Sequence, residues 1–464
     1  MKAPLASRNS RATRLVWLIE MVLIVLAVLV AARLRFINSP GSYALFFANS
    51  PLRVLLVALV ITTAMAAFGL YQVHMRHNRF DFAMRLLLAF AFGGIGLLVI
   101  YYLVPQTYIG RGVLALGLGL GFFAVAAARL LMVRLFGISA WKRRVLVFGA
   151  GNNADLINRR MRRTADRRSF RIVGVVPVDD QPAVVPDSLQ LHAGVSLPEL
   201  TDALDIDEIV VAPDERRGGL PMDSMLACAQ RGIVVSDLST FFEREAGMVS
   251  LDVADPSWLV FCGGFDHSMP RRLNKRFFDL LAASALLLVA WPFMLLVALA
   301  IWLESGRPVF YRQTRVGERG RTFELVKFRS MRVDAESDGV ARWASREDDR
   351  STRVGQFIRK TRLDELPQLF NVLRGDMSFV GPRPERPQFV EVLAREVRYY
   401  NVRHSVKPGL TGWAQLRYAY GASVQDAEEK LTFDLFYVKN QGLLFDLMIL
   451  LQTVEVVLFR RGAR

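Results

Sequence analysis

The chain has 464 residues, 52% of them hydrophobic, and a formal net charge of +16. The apolar residues come in long blocks with Lys and Arg crowded at their ends, which is typical of a protein anchored on the cytoplasmic side of an anionic membrane and argues against nucleic-acid binding. Two cysteines, Cys228 and Cys262, give no disulfide framework and fit a reducing compartment.

Four apolar runs open the chain, and each is long enough to cross about 30 Å of hydrocarbon. The first lacks a clear cleavage site and is followed by further runs, so it is interpreted as an anchor and not as a removed signal. Basic residues flank the inner loops, which predicts both ends of a four-helix transmembrane block, residues 1–140, in the cytoplasm. Glu20 is the one carboxylate within these runs. The runs are Leu15–Leu34, Leu52–Tyr71, Phe82–Val104 and Val113–Phe136.

Residues 141–255 read as an α/β domain in which short β-rich runs alternate with helical stretches. This alternation predicts a small, parallel, doubly wound and Rossmann-like sheet. The predicted strands are Arg144–Gly149, Phe170–Val178, Ile206–Pro213 and Gly232–Leu238, and the predicted helices are Ala154–Arg163, Leu197–Leu204 and Met222–Arg231.

The first strand is followed by a glycine-rich turn, Gly149 to Ala154, with the spacing GxGxxA. This spacing resembles the dinucleotide fingerprint, so NAD or a nucleotide sugar could bind there. The alternative is a tight strand-to-helix turn in a domain without a cofactor. No acidic residue stands cleanly at the end of the second strand, which favours the purely structural interpretation.

The apolar segment Phe277–Leu303 is interrupted by Pro292 and is basic at both ends. Proline favours a kink in a helix, and positive charge at both ends disfavours crossing. We therefore predict a re-entrant helix that dips into the cytoplasmic leaflet and returns. An ordinary kinked fifth span is the alternative.

A hairpin is predicted next, from Pro308–Val316 and Thr322–Met331. It places Lys327 and Arg329 two residues apart, on one face of a strand. Two cations on one face suit a diphosphate, whereas a solvated sheet edge is the alternative. A polar stretch, 334–353, follows.

The stretch from Thr361 to Pro384 contains adjacent carboxylates, Asp364 and Glu365, at a predicted helix start with Asp364 as N-cap. Gly375 is a predicted C-cap, and Arg383 is held between Pro382 and Pro384. One carboxylate as nucleophile, its neighbour as metal ligand and a rigid Arg for the leaving group would form a phosphoryl-transfer site. A helix cap with a solvated acidic turn is the alternative.

Three further elements complete the chain. A helix is predicted at Gln388–Arg398, a turn-rich loop at Val406–Gln415, and an interfacial or packing helix at Leu443–Phe459, which Asp446 interrupts.

Six short motifs occur in order in the C-terminal half, and together they resemble the bacterial sugar transferases, or polyprenyl-phosphate glycosyl-1-phosphate transferases. The four-span block and the α/β domain resemble the large subclass of that family. The tail from Tyr420–Ser423 through Arg461–Arg464 looks most like its exosortase-associated exopolysaccharide branch. The motifs are Lys275-Arg276 with Asp279, Phe310–Gly317, Lys327–Met331, Leu363–Leu369, Phe379–Pro384 and Lys407–Trp413.

The resemblance implies a monotopic catalytic domain over residues 270–464, held by a re-entrant helix. It implies transfer of a sugar-1-phosphate from a UDP-sugar to undecaprenyl phosphate through an aspartyl phosphosugar intermediate, with release of UMP. Asp364 would be the nucleophile and Glu365 would help to hold Mg²⁺. The residues implied in substrate binding are Pro382, Arg383 and Pro384 for the nucleotide, Lys327, Arg329 and Arg359 or Arg362 for phosphates, and Lys275 and Arg276 for the lipid phosphate.

These expectations place the protein in the bacterial inner membrane with its soluble domains in the cytoplasm, as a possible homodimer. A membrane-tethered NAD-dependent dehydratase or epimerase is disfavoured, because no tyrosine is followed by lysine four residues later. A non-enzymatic scaffold for polysaccharide assembly would not require Asp364, Glu365 and Arg383. A simple glycosyltransferase would release UDP.

Overall fold

The computed structural model divides the chain into two compact units, Met1–Ala246 and Gly247–Arg464. Cys262, most of the polar stretch before Arg353, and the sequence Arg461–Arg464 lie outside the described residues. The structure describes residues 8–71, 79–136, 142–161, 167, 169–178, 181–191, 196–215, 220–253, 268–332, 350–418 and 423–459.

Four apolar helices near the N-terminus identify a membrane protein and confirm the four predicted runs, although the helix of the second run, with 17 residues, is shorter than the others. They pack on each other around a core that includes Ile61, Phe90 and Val125. The helix of the second run, Leu52–Tyr71, ends at Ala67, because the chain turns at Gly69 with a positive φ of 73°. A further short helix, α2, was not predicted. The helices are α1 (Arg8–Arg35), α2 (Pro40–Asn49), α3 (Pro51–Ala67), α4 (Arg79–Leu103) and α5 (Arg111–Phe136).

The single carboxylate of the apolar runs is paired inside this block. Glu20 is fully buried and its carboxylate accepts hydrogen bonds from the guanidinium of Arg129, with Nη2–Oε2 at 3.1 Å. Arg129 also donates to the carbonyl of Leu70. A buried carboxylate needs such a partner, so this ion pair links α1 to α5.

The α/β domain contains a four-stranded parallel sheet in the order β2-β1-β3-β4, which confirms the predicted parallel sheet. Strand β1 is buried along most of its length, and Leu146, Ile209 and Cys228 lie in the core on one side of the sheet. The elements are β1 (Arg143–Phe148), α6 (Asn152–Arg160), β2 (Phe170–Val176), α7 (Leu197–Ala203), β3 (Glu208–Val211), α8 (Met222–Gln230), β4 (Val234–Asp237) and α9 (Leu238–Ala246).

The second unit begins with a helix of 37 residues, α10 (Met269–Ser305), which contains Pro292. It is long and apolar enough to cross a membrane, as are α1, α4 and α5. The helix continues through the proline, and the re-entrant path stays a prediction. Most of its surface is exposed apolar side chains, which require a lipid or protein environment.

The predicted hairpin is confirmed as β5 (Phe310–Val316) and β6 (Thr322–Phe328), with Tyr311 opposite Lys327. Strand β6 ends at Phe328 and not at Met331, so the prediction that Arg329 shares a strand face with Lys327 is wrong. The segment 406–415, predicted as a loop, instead contributes a strand and the start of a helix, because its backbone pairs in parallel with residues 378–380. The remaining elements are α11 (Arg353–Lys360), α12 (Gln368–Arg374), β7 (Ser378–Val380), α13 (Pro387–Glu396), β8 (Gly409–Thr411), α14 (Trp413–Arg417), α15 (Val424–Asn440) and α16 (Leu443–Phe459).

Candidate active site

The two adjacent carboxylates lie in a tight turn and not at a helix N-cap. Arg362 has a left-handed backbone, with φ of 60°, and starts a 3₁₀ turn over Leu363–Glu365. Helix α12 begins only at Gln368, so the prediction of Asp364 as N-cap is wrong. The prediction of Gly375 as C-cap is confirmed, since its φ is 100° and its N–H donates to the carbonyl of Asn371.

Asp364 is buried and incompletely paired. Its side chain is 8% exposed, and its Oδ1 atom has no hydrogen-bond partner in the part of the chain that the structure describes. Burial, together with the charge of Glu365, raises the pKa of Asp364 to about 6. A buried carboxylate oxygen without a partner is costly in a fold, so this atom is suited to contact a substrate.

Glu365 lies between two guanidinium groups. Its Oε1 accepts a hydrogen bond from Arg362 Nη1 at 3.1 Å and from Arg383 Nη2 at 3.2 Å. Burial opposes ionisation of Glu365, but the two arginines outweigh it and hold its pKa below the usual value. The structure therefore brings Glu365 and Arg383 together, although 18 residues separate them in sequence.

Lys327 faces the same acidic pair from strand β6. Its ammonium group lies 5.2 Å from the ring centre of Tyr311, its neighbour across the hairpin. Burial lowers the pKa of Lys327 to about 8, and the positive charge of Arg315 adds to this effect. The negative charges of Asp364 and Glu365 partly offset this lowering of the Lys327 pKa.

The segment around Arg383 is fixed by its backbone. Four consecutive carbonyl groups, those of residues 382–385, each accept a hydrogen bond at 2.9 Å from another part of the second unit. Together with the two prolines, these bonds make the segment rigid before any ligand binds. The donors are, in order, the amide of Gly409, the guanidinium of Arg403, the guanidinium of Arg315 and the amide of Val316.

Arg315 and Arg403 are site-building residues that the sequence did not single out for this role. Arg403 is itself oriented by a buried ion pair with Asp434, with Nη2–Oδ2 at 2.8 Å. Arg315 lies in one of the recognised motifs, FYRQTRVG, and its place in that motif is the sequence feature that could have identified it as a site residue. No motif contained Arg403.

Arg329 and Arg359 are bound elsewhere in the structure. The Nη2 atom of Arg329 donates to the carbonyls of Ser305 and Gly306 at the end of α10. Its Nε and Nη1 atoms are buried without partners among the described residues. Arg359 donates to the hydroxyl of Ser351. Their role with phosphates therefore stays a prediction.

Lys275 and Arg276 lie near the start of α10 and contact other protein groups. Lys275 forms an ion pair with Asp446 at 2.6 Å. Arg276 donates to the carbonyls of Val372 and Leu373, the last turn of α12. The sequence did not single out Lys407, whose ammonium group and the Arg276 guanidinium both lie 3.6 Å from the point where a side-chain carbon on Gly375 would stand. Two cations thus lie close together at this end of α12.

The acidic pair has the chemistry of a partial Mg²⁺ site. No group of three or more His, Cys, Asp or Glu side chains that could hold a metal occurs in the described ranges. Mg²⁺ is commonly held by one or two carboxylates together with substrate phosphates. The unpaired Oδ1 of Asp364 and the adjacent Glu365 fit that arrangement.

The glycine-rich turn of the α/β domain is filled by a carboxylate of the chain itself. Asp214, just after β3, accepts hydrogen bonds from the amides of Asn152 at 2.9 Å and Asn153 at 2.7 Å. A side-chain carbon on Gly151 would lie 2.3 Å from Asp214 Oδ2, so any larger residue there would displace the Asp214 carboxylate. In dinucleotide-binding domains this helix N-terminus faces the pyrophosphate. The geometry supports the structural interpretation of the motif.

Comparison with known proteins places the chain in a family. The family model described as bacterial sugar transferase matches residues 270–460. A UDP-N-acetylgalactosamine-undecaprenyl-phosphate N-acetylgalactosaminephosphotransferase of Aeromonas hydrophila is 42% identical over 237 residues, which are 51% of this chain and 55% of that protein. A UDP-glucose:undecaprenyl-phosphate glucose-1-phosphate transferase of Caulobacter vibrioides is 43% identical over 188 residues, 40% of this chain and 70% of that protein.

Coverage differs among the relatives. The chain spans 55%, 37% and 40% of the relatives from Aeromonas hydrophila, Komagataeibacter xylinus and Escherichia coli. An uncharacterized sugar transferase of Haemophilus influenzae is similar over most of both chains, being 30% identical over 390 residues, 77% of this chain and 78% of that protein. With this extended match and the recognised motifs in place around Asp364, the chain belongs to the bacterial sugar transferase family.

Proposed function

We propose that this protein transfers a sugar-1-phosphate from a UDP-sugar to undecaprenyl phosphate, releases UMP and so starts an exopolysaccharide repeat unit. The observation that supports this most is the buried Asp364, whose Oδ1 lacks a partner among the described residues while Glu365, Arg383 and Lys327 surround the carboxylate with charge. The names of the relatives from Aeromonas and Caulobacter point to the same class of reaction.

The reaction would proceed in two displacements at one phosphorus atom. A carboxylate oxygen of Asp364 bonds to the β-phosphorus of the UDP-sugar while the bond from that phosphorus to the bridging oxygen breaks, and UMP leaves. An oxygen of the lipid phosphate then bonds to the same phosphorus and releases the carboxylate. Covalent catalysis of this kind lets the nucleotide depart before the second anion arrives.

The neighbouring cations would lower the repulsion between the carboxylate and the diphosphate. Arg383 is held at a fixed position by its backbone, so it can bind the nucleotide phosphate without reorganisation. Lys327 lies within the electrostatic reach of Asp364 and would stabilise charge on the transferred phosphate. Sequence analysis left Arg359 and Arg362 as alternatives for binding a phosphate. Arg362 pairs with Glu365, whereas Arg359 binds Ser351, so we favour Arg362 for this role.

Glu365 would help to hold Mg²⁺, which when bound neutralises charge on the diphosphate. For the lipid phosphate we propose Arg276 together with Lys407, because these two cations lie near each other beside the start of the membrane helix. We place the protein in the bacterial inner membrane, with α10 re-entrant and the soluble domains in the cytoplasm. A homodimer is part of the proposal, and a monomeric mass in native lipid would contradict it.

The decisive experiment measures which nucleotide is released. Purified protein would be incubated with Mg²⁺, undecaprenyl phosphate and a panel of UDP-sugars, and UMP and UDP would be separated by chromatography. We expect UMP from one sugar and loss of UMP in Asp364→Asn. The matched control is Asp376→Asn, which makes the same chemical change to a carboxylate that lies after α12 and pairs with Arg374.

Each outcome discriminates between hypotheses. UDP release would indicate simple glycosyl transfer, and UMP release undiminished in Asp364→Asn would remove Asp364 as the nucleophile. A labelled sugar-phosphate that stays on the wild-type protein without acceptor, but not on the variant, would support the covalent intermediate.

A further inference from the structure

Strand β7 leads directly into the rigid segment that contains Arg383, and it is held by one face of helix α10. Asp279 is 1% exposed, and its Oδ1 accepts hydrogen bonds from the Ser378 hydroxyl at 2.8 Å and the Phe379 amide at 2.9 Å. Lys275, four residues earlier and on the same helix face, donates to the carbonyl of Val380 at 2.9 Å. Two side chains of the membrane helix thus bind three consecutive residues of β7.

Lys275 has no donor left for another ligand in this arrangement. An ammonium group has three N–H donors. They are used by the Val380 carbonyl, the Tyr437 hydroxyl at 3.0 Å and the Asp446 carboxylate at 2.6 Å. The Tyr437 hydroxyl in turn contacts Asp446 and the Val380 carbonyl, both at 2.9 Å. Asp446, which interrupts an otherwise apolar helix, therefore has a partner on α10.

The path from this contact to the acidic pair is short. Val380 is followed by Gly381 and then by Pro382, Arg383 and Pro384, whose carbonyls are all held. Arg383 reaches Glu365 at 3.2 Å. Strand β7 and this segment are joined by Gly381 alone, and both bond to residues 408–411. The seating of β7 on α10 therefore bears directly on the backbone that carries Arg383.

We infer that Asp279 and Lys275 are positioning residues that set the place of Arg383 through β7, and thereby couple the seating of the membrane helix to binding of the nucleotide sugar. This inference rests on the proposed function of Arg383. It replaces the lipid-phosphate role that the resemblance implied for Lys275. A buried charged group that accepts two hydrogen bonds holds a strand more firmly than apolar contact, because its loss leaves both donors unpaired.

The test compares Asp279→Ala, Asp279→Asn and Ser378→Ala with the control Ser284→Ala, which alters an exposed position on the same helix. Donor and acceptor KM, kcat, and hydrogen exchange of the peptide containing residues 378–385 would be measured in lipid nanodiscs. For Asp279→Ala we expect the KM for the UDP-sugar to rise about tenfold or more, with an unchanged KM for undecaprenyl phosphate and faster exchange of the Phe379 amide.

Asp279→Asn retains an oxygen acceptor, so its KM for the UDP-sugar is expected to rise less than that of Asp279→Ala. Ser378→Ala loses one of the two hydrogen bonds, so its KM for the UDP-sugar is expected to lie between the values of Asp279→Ala and the wild type. If Asp279→Ala does not fold, these two variants still test the inference. Equal changes in both KM values, or unchanged exchange of the 378–385 peptide, would overturn the inference. Absence of UMP release in the wild type would instead refute the proposed function, and the exchange measurement would still test the contact between α10 and β7.

Discussion

The Arg383 guanidinium donates a hydrogen bond to the Glu365 carboxylate, with Nη2–Oε1 at 3.2 Å. Arg362 donates to the same oxygen, but its side chain is 59% exposed and its backbone carbonyl is not part of the fixed segment. The two arginines that bind the same Glu365 oxygen thus differ in how firmly their backbones are held. We therefore expect them to contribute differently to activity.

We predict that Arg383→Lys lowers kcat/KM for the UDP-sugar by about tenfold to a hundredfold, because lysine cannot reproduce the planar fork of hydrogen bonds. Arg362→Lys is the matched variant and is expected to change kcat/KM by threefold or less, about the contribution of an exposed ion pair. Steady-state kinetics on both proteins check this. Similar losses in the two variants would show that the rigid segment gives Arg383 no advantage.

The pH dependence of kcat/KM should be bell-shaped. Asp364 must be ionised to attack phosphorus, and its pKa is raised to about 6 by burial and by Glu365, so activity is expected to fall as the pH drops through about 6. Burial and Arg315 lower the pKa of Lys327 to about 8, so its charge is lost, and activity declines, as the pH rises through about 8.

The upper limb of that profile can be assigned with one variant. Arginine stays charged across this range, so Lys327→Arg is expected to move the decline above pH 8 while the acid limb remains. An unchanged upper limb in Lys327→Arg would assign the decline to another group.

Glu20 and Arg129 should matter as a pair. Glu20→Gln leaves the Arg129 guanidinium without its counter-charge inside the helix block, and we expect a loss on the order of 2–3 kcal/mol, since breaking a buried pair is costly. Because the Arg129 side chain is 21% exposed, water partly solvates it, and the expected loss of unfolding free energy is smaller than for a fully buried pair. Thermal unfolding in detergent measures it.

The double variant Glu20→Leu with Arg129→Leu removes both charges and is expected to recover most of the lost stability. The control is Arg111→Gln, an exposed residue at the start of α5. A double variant as unstable as the single one would show that contacts other than the charge pair dominate.

Asp214 makes a prediction for the α/β domain. Because its carboxylate occupies the amides of Asn152 and Asn153, NAD⁺ and UDP-sugars are expected to cause no shift in the melting of this domain. Asp214→Ala removes a capping carboxylate and is expected to destabilise the domain by about 0.5–2 kcal/mol. Asp223→Ala, at an exposed position in the first turn of α8, is the control. Protection of the amides at residues 149–153 by NAD⁺ in the wild type would contradict this reading.

Local pattern determined much of this protein. Apolar runs predicted the four N-terminal helices, alternation predicted a parallel sheet, and the turn residues Glu318 to Arg321 between two β-rich runs predicted the hairpin, because each depends on the periodicity or turn chemistry of adjacent residues. The stretch around Asp364 and Arg383 was also recognisable, since its motifs are contiguous in sequence.

The tertiary structure decided what each charged side chain contacts. Helix α12 starts at Gln368 and not at the predicted position beside Asp364, because Arg362, with its left-handed backbone, starts a 3₁₀ turn ahead of the helix. Asp214, which follows β3 and lies 62 positions from Asn152 in the sequence, occupies the turn at Gly151. Asp446 pairs with Lys275, which lies 171 positions away in the sequence. Such pairings depend on the packing of distant elements, because the strength of a charge contact follows distance and burial, and neither quantity is written in the spacing of residues along the chain.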